Sequence, residues 1–142
     1  MRALQARYPT NRELDADLDL ALHVLGDALS SSGRTDEALS VHEEAARLAG
    51  AAASAVPSDL LALWRCADGY ERLGNAHAGL ATATGQLAHW AEAQLWYARS
   101  LERWHEWSRW GASSAFNETR EARVLAARLA SDRAVAASRS SE

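Results

Sequence analysis

The chain has 142 residues, a formal net charge of −4 and a pI of about 5.7. Its length suits one domain with its own core. The acidic balance excludes the basic footprint of a nucleic-acid-binding surface.

Two further features bear on where the protein works. All fifteen basic residues are arginine, and the richness in Ala and Arg without Lys or Ile is typical of a bacterial coding bias. The first residues lack the apolar stretch of a signal peptide, and no window approaches 18 apolar residues. Cys66 is the only cysteine, so no internal disulfide can form, and its apolar setting predicts a small core residue. We therefore predict a bacterial, cytoplasmic protein that does not contact membrane.

The first part of the chain predicts two helices. Residues 1–8 are predicted to be the end of a preceding helix that Pro9 stops. Thr10-Asn11-Arg12-Glu13 is a capping-box pattern, which favours a new helix start. That helix is predicted to end at Ser30-Ser31-Ser32-Gly33, where Gly33 suits a left-handed turn. Thr35 is predicted to cap the next helix.

The second part predicts three more helices. Pro57-Ser58-Asp59 starts one, and Thr84-Gly85-Gln86 is the predicted turn after it. The following helix closes at Gly111 and Ser113-Ser114. Asn117 is predicted to cap a last helix whose inner face comprises Ala122, Leu125, Ala126 and Leu129.

Two pairs of landmarks recur at the same distance. Pro9-Thr10-Asn11 corresponds to Pro57-Ser58-Asp59, and Leu25-Gly26 corresponds to Leu73-Gly74, each offset by 48 residues. A shared offset at separated landmarks indicates a copied structural unit, and periods of about 20–50 residues are typical of solenoids. Such arrays usually present a surface to a partner.

The run Leu25–Leu29 followed by Gly33–Leu39 resembles the tetratricopeptide repeat (TPR). That family places a Leu-Gly pair in its first helix, a glycine at the turn, and small residues in its second helix. Gly26 fits the first helix, Gly33 the turn, and Ala38 and Ala45 the second helix. His42 lies where the family usually has an aromatic residue. The resemblance implies close approach of the two helix backbones at Gly26 and Ala38.

The second unit departs from the family pattern. Gly74 to Ala93 spans 19 residues, whereas Gly26 to Ala38 spans 12, and the extra seven amount to about two helical turns. Tyr97 takes the aromatic position, but Ser100 replaces the later alanine. Such long-period units resemble the arrays that follow the kinase domain in some bacterial serine/threonine kinases. The chain itself carries no kinase motif.

We therefore predict an all-α fold, an antiparallel helix-turn-helix (TPR-like) solenoid of about two repeats with a C-terminal capping helix. The predicted segments are 1–8, the end of a preceding helix; 9–56, the first repeat; 57–111, the lengthened second repeat; 112–137, the capping helix; and 138–142, a disordered tail.

No residue set predicts catalysis or a metal site. The five histidines include no pair at i, i+4 with carboxylate support. The carboxylates Glu13, Asp15, Asp17 and Asp19 are spaced by two and fan around the helix, which favours a solvated face over an acid–base pair. We predict a protein that is not an enzyme and that uses no cofactor and no metal.

The tryptophans are unusually concentrated. Five of the six lie between Trp90 and Trp110. Trp104, Trp107 and Trp110 step by three, so they drift around the helix and cannot all be buried alike. Either the last helix folds back and covers them, or they form a docking surface for a partner or a second copy.

The TPR resemblance implies a concave groove lined by the first helix of each unit. Its register predicts these groove residues: His23, Asp27, Ser30, Glu71, Asn75 and Ala78. None is basic, which disfavours acidic peptides and favours a neutral or basic segment. We predict a protein–protein interaction module that binds a peptide or helix. The alternative is an element for self-association, for example as a homodimer, or the end cap of a larger signalling protein such as a bacterial serine/threonine kinase.

Overall fold

A computed structural model describes residues 12–111 and 114–141, and in these ranges the chain is all-α, with no strand. The predicted all-α class is confirmed for this part of the chain. The helix end predicted at residues 1–8, the Thr10 start of the capping box, Ser113 and Glu142 lie outside the described residues. The helices are α1 Arg12–Ser31, α2 Thr35–Ala55, α3 Leu60–Thr84, α4 Leu87–Arg109 and α5 Ala115–Ser140.

Each helix packs chiefly against the helices before and after it in the chain. The connectors 32–34, 56–59 and 85–86 are short, so the chain reverses direction between consecutive helices, as in an αα-hairpin. This sequential packing places α1 and α5 at the two ends of the described helices, and both also contact α3 through the ion pairs Asp27–Arg72 and Arg123–Glu71.

Local signals explain several helix ends. Gly33 and Gly85 have φ of 78° and 70°, in the left-handed region that glycine adopts without a Cβ clash. Gly85 N–H donates to the Ala81 carbonyl at 2.9 Å. Asp59 Oδ1 accepts from the Ala62 N–H at 3.1 Å. The predicted turn at Thr84–Gln86 and the start at Asp59 are therefore confirmed.

Two predicted caps were wrong. Thr35 is the first residue of α2, and the capping position is held by Arg34, whose side chain makes no capping hydrogen bond. Asn117 lies inside α5, and Ser114 occupies the capping position. The Asn117 side-chain oxygen reaches back and accepts from the Ser114 N–H, so Asn117 supplies the reciprocal half of the cap.

The main core lies between α3, α4 and α5. Its buried members are Ala67, Ala93, Tyr97, Leu101, Trp104 and Val124. Cys66 is fully buried between α2 and α3 beside Ala49 and Ala53, as predicted for a core residue. Burial raises the pKa of its thiol to about 11.

The same glycine-to-ring contact occurs in both predicted units. A Cβ on Gly26 would lie 2.6 Å from His42 Cε1, and a Cβ on Gly74 would lie 2.7 Å from Tyr97 Cε1. The ring of the second helix thus rests on a glycine of the first helix in each case. The small residues at corresponding positions of the two units are buried too. Ala38 of the first unit corresponds to Ala93 of the second, and Ala45 corresponds to Ser100.

The extra seven residues of the second unit can be located. α3 continues ten residues past Gly74, whereas α1 continues five past Gly26. α4 begins six residues before Ala93, whereas α2 begins three before Ala38. The connector is one residue shorter, so the insertion lengthens both helices and leaves the glycine-to-ring contact in place.

The inner face predicted for the last helix was wrong. Ala122, Leu125, Ala126 and Leu129 are exposed. The buried residues of α5 are Asn117, Val124, Ser131 and Val135. Polar contacts hold this orientation, because Arg123 pairs with Glu71 of α3 and Asp132 accepts from Gln94 of α4. The helix also continues to Ser140, so the predicted tail is helical through that residue.

Candidate functional site

A groove of about 650 Å³ lies along α3, between α1 and α5. α1 contributes Asp27 and Ser30, and α5 contributes Arg123. α3 supplies the longest side, from Asp68 to Ala83. α2 adds Thr35 and His42, so four helices meet at one concave surface.

The groove has a floor of small residues and a polar rim. Ala76, Gly79 and Ala83 line it, and a Cβ on Gly79 would meet nothing within 4 Å. Asn75 is exposed, and its Oδ1 accepts from the Tyr97 hydroxyl at 2.6 Å. This bond fixes the Asn75 amide so that Nδ2 can donate to a ligand.

Four of the six predicted groove residues line this surface: Asp27, Ser30, Glu71 and Asn75. His23 is buried instead, with Nε2 3.3 Å from Asp19 Oδ1. Ala78 packs against the core cluster of α3, α4 and α5. The predicted set was therefore too wide by these two residues.

Two arginines in the groove were missed by the register argument. Arg123 forms a bidentate salt bridge with Glu71, in which Nε donates to Oε1 at 2.6 Å and Nη2 donates to Oε2 at 2.7 Å. Arg72 donates to Asp68 at 2.9 Å and to Asp27 at 2.7 Å. The inference that the groove lacks basic residues was therefore wrong.

These pairs set the charge of the groove. The bond to Glu71 is the main cause that raises the pKa of Arg123. Burial lowers the pKa of Arg72, but its bonds to Asp68 and Asp27 outweigh that effect and raise it. Three carboxylates of the lining face two guanidinium groups, and Arg120 beside the lining pairs with Asp68, so the charges balance.

His42 closes the groove beside α1. Its ring is buried, and Nε2 lies 3.8 Å from Asp27 Oδ1. Burial lowers the pKa of His42, which Asp27 only partly offsets. The neutral imidazole therefore adds no charge to the groove near neutral pH.

One of the two missed arginines, Arg123, follows a spacing that the sequence carries. Arg120 and Arg123 are three residues apart on α5, and Asp68 and Glu71 are three residues apart on α3. Arg120 Nη1 lies 3.7 Å from Asp68 Oδ1, parallel to the closer pair. The equal i, i+3 spacing of two arginines on one helix and two carboxylates on another could have indicated this contact between the helices.

A second cavity, of about 400 Å³, lies among α2, α3 and α4. Its aromatic wall consists of Tyr70 and Trp96, with ring centroids 5.3 Å apart. The Arg99 guanidinium lies 4.6 Å from the Trp96 ring centroid. None of the predicted site residues lines it.

The three predicted self-association residues have different surroundings. Trp104 is buried in the core with Val124 of α5, and Trp107 packs against that core. Their rings meet edge-on at 5.8 Å. Trp110 is 55% exposed. These residues therefore do not form one exposed face.

Within residues 12–111 and 114–141, no group of three or more His, Cys, Asp or Glu side chains could hold a metal ion. No helix in these ranges is both long and apolar enough to cross a membrane. Comparison of the chain with protein-family models, curated proteins and solved structures finds no match.

Proposed function

We propose that this chain is a non-catalytic, TPR-like interaction module. Its groove between α1, α3 and α5 holds a peptide or helix of a partner protein. One observation carries the proposal: exposed polar side chains of α1 and α3 border an open floor of Ala76, Gly79 and Ala83. The glycine-to-ring contact in both units supports the TPR-like part of the proposal.

The groove favours a neutral or basic segment. Its two arginines are already bonded to Asp27, Asp68 and Glu71, so an acidic peptide would have to displace these carboxylates. Asp27 and Asn75 are exposed at the rim and can bond a bound backbone or side chain. The small floor lets a peptide backbone approach α3 closely.

Selection from a random peptide library tests the proposal. Gly79→Arg fills the groove without a predicted steric clash, because its Cβ position is open. Ala91→Arg, on an exposed position of α4 outside the groove, is the matched control. We expect Gly79→Arg to weaken binding of the selected peptides about tenfold or more, and Ala91→Arg to leave it unchanged.

Failure to select any peptide, or equal binding by the wild type and Gly79→Arg, would overturn this assignment. Circular dichroism of both variants must show unchanged helicity. Self-association is the second candidate function, because α1 and α5 expose apolar side chains at the two ends of the helix stack.

A further inference from the structure

The outer face of α5 is apolar and has no helical partner among the described residues. Leu125 and Leu129 are 45% and 47% exposed, and Ala122 and Ala126 beside them are exposed too. These four residues, which we term the α5 outer face, lie opposite the buried Val124 side. A packed helix would normally bury such a stripe.

The outer face of α1 has a similar stripe. Leu20 and Val24 are 63% and 62% exposed and lie one helical turn apart. We term Asp17, Leu20 and Val24, all exposed, the α1 outer face. The two ends of the helix stack thus each present a pair of large apolar side chains at i, i+4 spacing.

The exposed charges that continue the two stripes are opposite in sign. Asp17 lies one turn before Leu20 on α1, and Arg133 lies one turn beyond Leu129 on α5. Asp27, Arg120 and Arg123 do not enter this comparison, because they form ion pairs with α3. The pair of Asp17 and Arg133 therefore favours contact between an α5 and an α1.

We propose that the α5 outer face of one copy packs on the α1 outer face of a second copy. This surface is separate from the groove, so the inference does not depend on the peptide-binding proposal. An antiparallel arrangement places Leu129 over Leu20 and Leu125 over Val24. Arg133, exposed one turn beyond Leu129, then comes beside Asp17, exposed one turn before Leu20.

This contact joins two different surfaces of the same chain. A head-to-tail contact leaves one free α1 face and one free α5 face on every pair, so further copies can add. One helix pair is smaller than a standard interface of about 800 Å² per partner. We therefore expect reversible association that grows with concentration.

Sedimentation equilibrium of the full chain over a wide concentration range provides the test. We expect the average mass of the wild type to rise steadily with concentration. Leu129→Glu should remove the α5 face and Val24→Glu the α1 face, and each variant alone should stay monomeric. Leu61→Glu, at an exposed leucine on neither face, is the matched control and should associate like the wild type.

Mixing the two variants distinguishes the proposed α5–α1 contact from a symmetric dimer. Val24→Glu retains an α5 face and Leu129→Glu retains an α1 face, so the mixture should form a one-to-one dimer and nothing larger. A symmetric α5–α5 dimer predicts instead that Val24→Glu dimerises alone. That result, or a mixture that stays monomeric, would overturn the proposal.

A charge exchange tests the register without adding a charge to an apolar site. Asp17→Arg and Arg133→Asp should each weaken association several-fold, and the double variant should restore most of it. Both positions are exposed, so folding should be unchanged. A wild type that is monomeric at every concentration, or a double variant weaker than either single one, would contradict the proposal.

Discussion

The Tyr97 ring lies against the backbone of Gly74, so that a Cβ on that glycine would come within 2.7 Å of Tyr97 Cε1. The Tyr97 hydroxyl also donates to Asn75 Oδ1 at 2.6 Å. One side chain thus couples the packing of α3 and α4 to the orientation of a groove residue. His42 takes the corresponding place against Gly26 in the first unit.

Replacing Gly74 with alanine should destabilise the fold by about 1–3 kcal/mol, because the new methyl group overlaps the Tyr97 ring. Gly79→Ala is the control. Its Cβ would meet nothing within 4 Å, so we expect it to stabilise α3 by about 0.4–1 kcal/mol. Urea unfolding measures both. Equal effects of the two substitutions would show that the glycine-to-ring contact has no special role.

Trp104 and Trp110 should respond differently to truncation. Trp104→Ala should lower the free energy of unfolding by about 3–5 kcal/mol, because it empties a fully buried site beside Val124. Trp110→Ala should change it by less than about 0.5 kcal/mol, because that side chain is mostly exposed. Denaturant melts monitored by circular dichroism check both values. A large fall in the free energy of unfolding with Trp110→Ala would contradict this expectation, because it would mean that Trp110 makes stabilising contacts despite its exposure.

The Arg123–Glu71 pair should be coupled. Arg123→Met leaves the buried Glu71 carboxylate without its bidentate partner. We expect the free energy of unfolding to fall by about 2 kcal/mol. The double variant Glu71→Gln with Arg123→Met should be more stable than the sum of the single effects predicts. A double-mutant cycle of unfolding free energies measures this coupling. Simple additivity would mean that the pair does not help to hold α5 on α3.

Stability should fall as the solution is acidified, partly through His42. Burial lowers the folded-state pKa of His42 below its ordinary value. Above a pH of about 6.5 neither state binds this proton. As the pH falls below that value, the unfolded chain takes up a proton that the folded chain does not, so the free energy of unfolding falls until the pH passes the folded-state pKa.

His42→Phe should therefore flatten the dependence of stability on pH below about 6.5. Some dependence should remain, because burial also lowers the pKa of His77. Val41→Ala, a partly buried apolar change in the same helix, is the control and should lower stability equally at each pH. Unfolding free energies at several pH values give the two slopes. An unchanged slope in His42→Phe would contradict this origin.

Turn chemistry made much of the fold predictable. Gly33 and Gly85 each follow a helical apolar pattern, and both adopt the left-handed conformation that such a position requires. These turn signals are local, so they can be read without knowing which helices meet. The positions singled out by the TPR resemblance, Gly26, Ala38 and Ala45, are buried.

The orientation of α5 could not be read in this way. Its sequence has alanine on every side, and Leu125 and Leu129 are larger than the valines that are in fact buried. The inward side is decided by partners on other helices, such as Glu71 for Arg123. A periodicity argument therefore chose the wrong face.

The groove was predicted in part for a related reason. The 48-residue register transferred Asp27 correctly to Asn75, because both lie one residue after their glycine. It failed at Ala78, since α3 continues to Thr84 and packs that position against the core of α4 and α5. Arg72 bonds Asp68 one turn before it on α3, but its place in the groove was missed because the bond to Asp27 joins α3 to α1.

The most direct test of the groove assignment is amide chemical-shift mapping by NMR with a peptide selected on the wild type. We predict shifts at Ser30, Asn75 and Gly79, including the side-chain amide of Asn75, and none at Trp110. Shifts confined to Tyr70 and Trp96 would place the ligand in the second cavity. That result would contradict the account that the groove between α1, α3 and α5 is the binding surface.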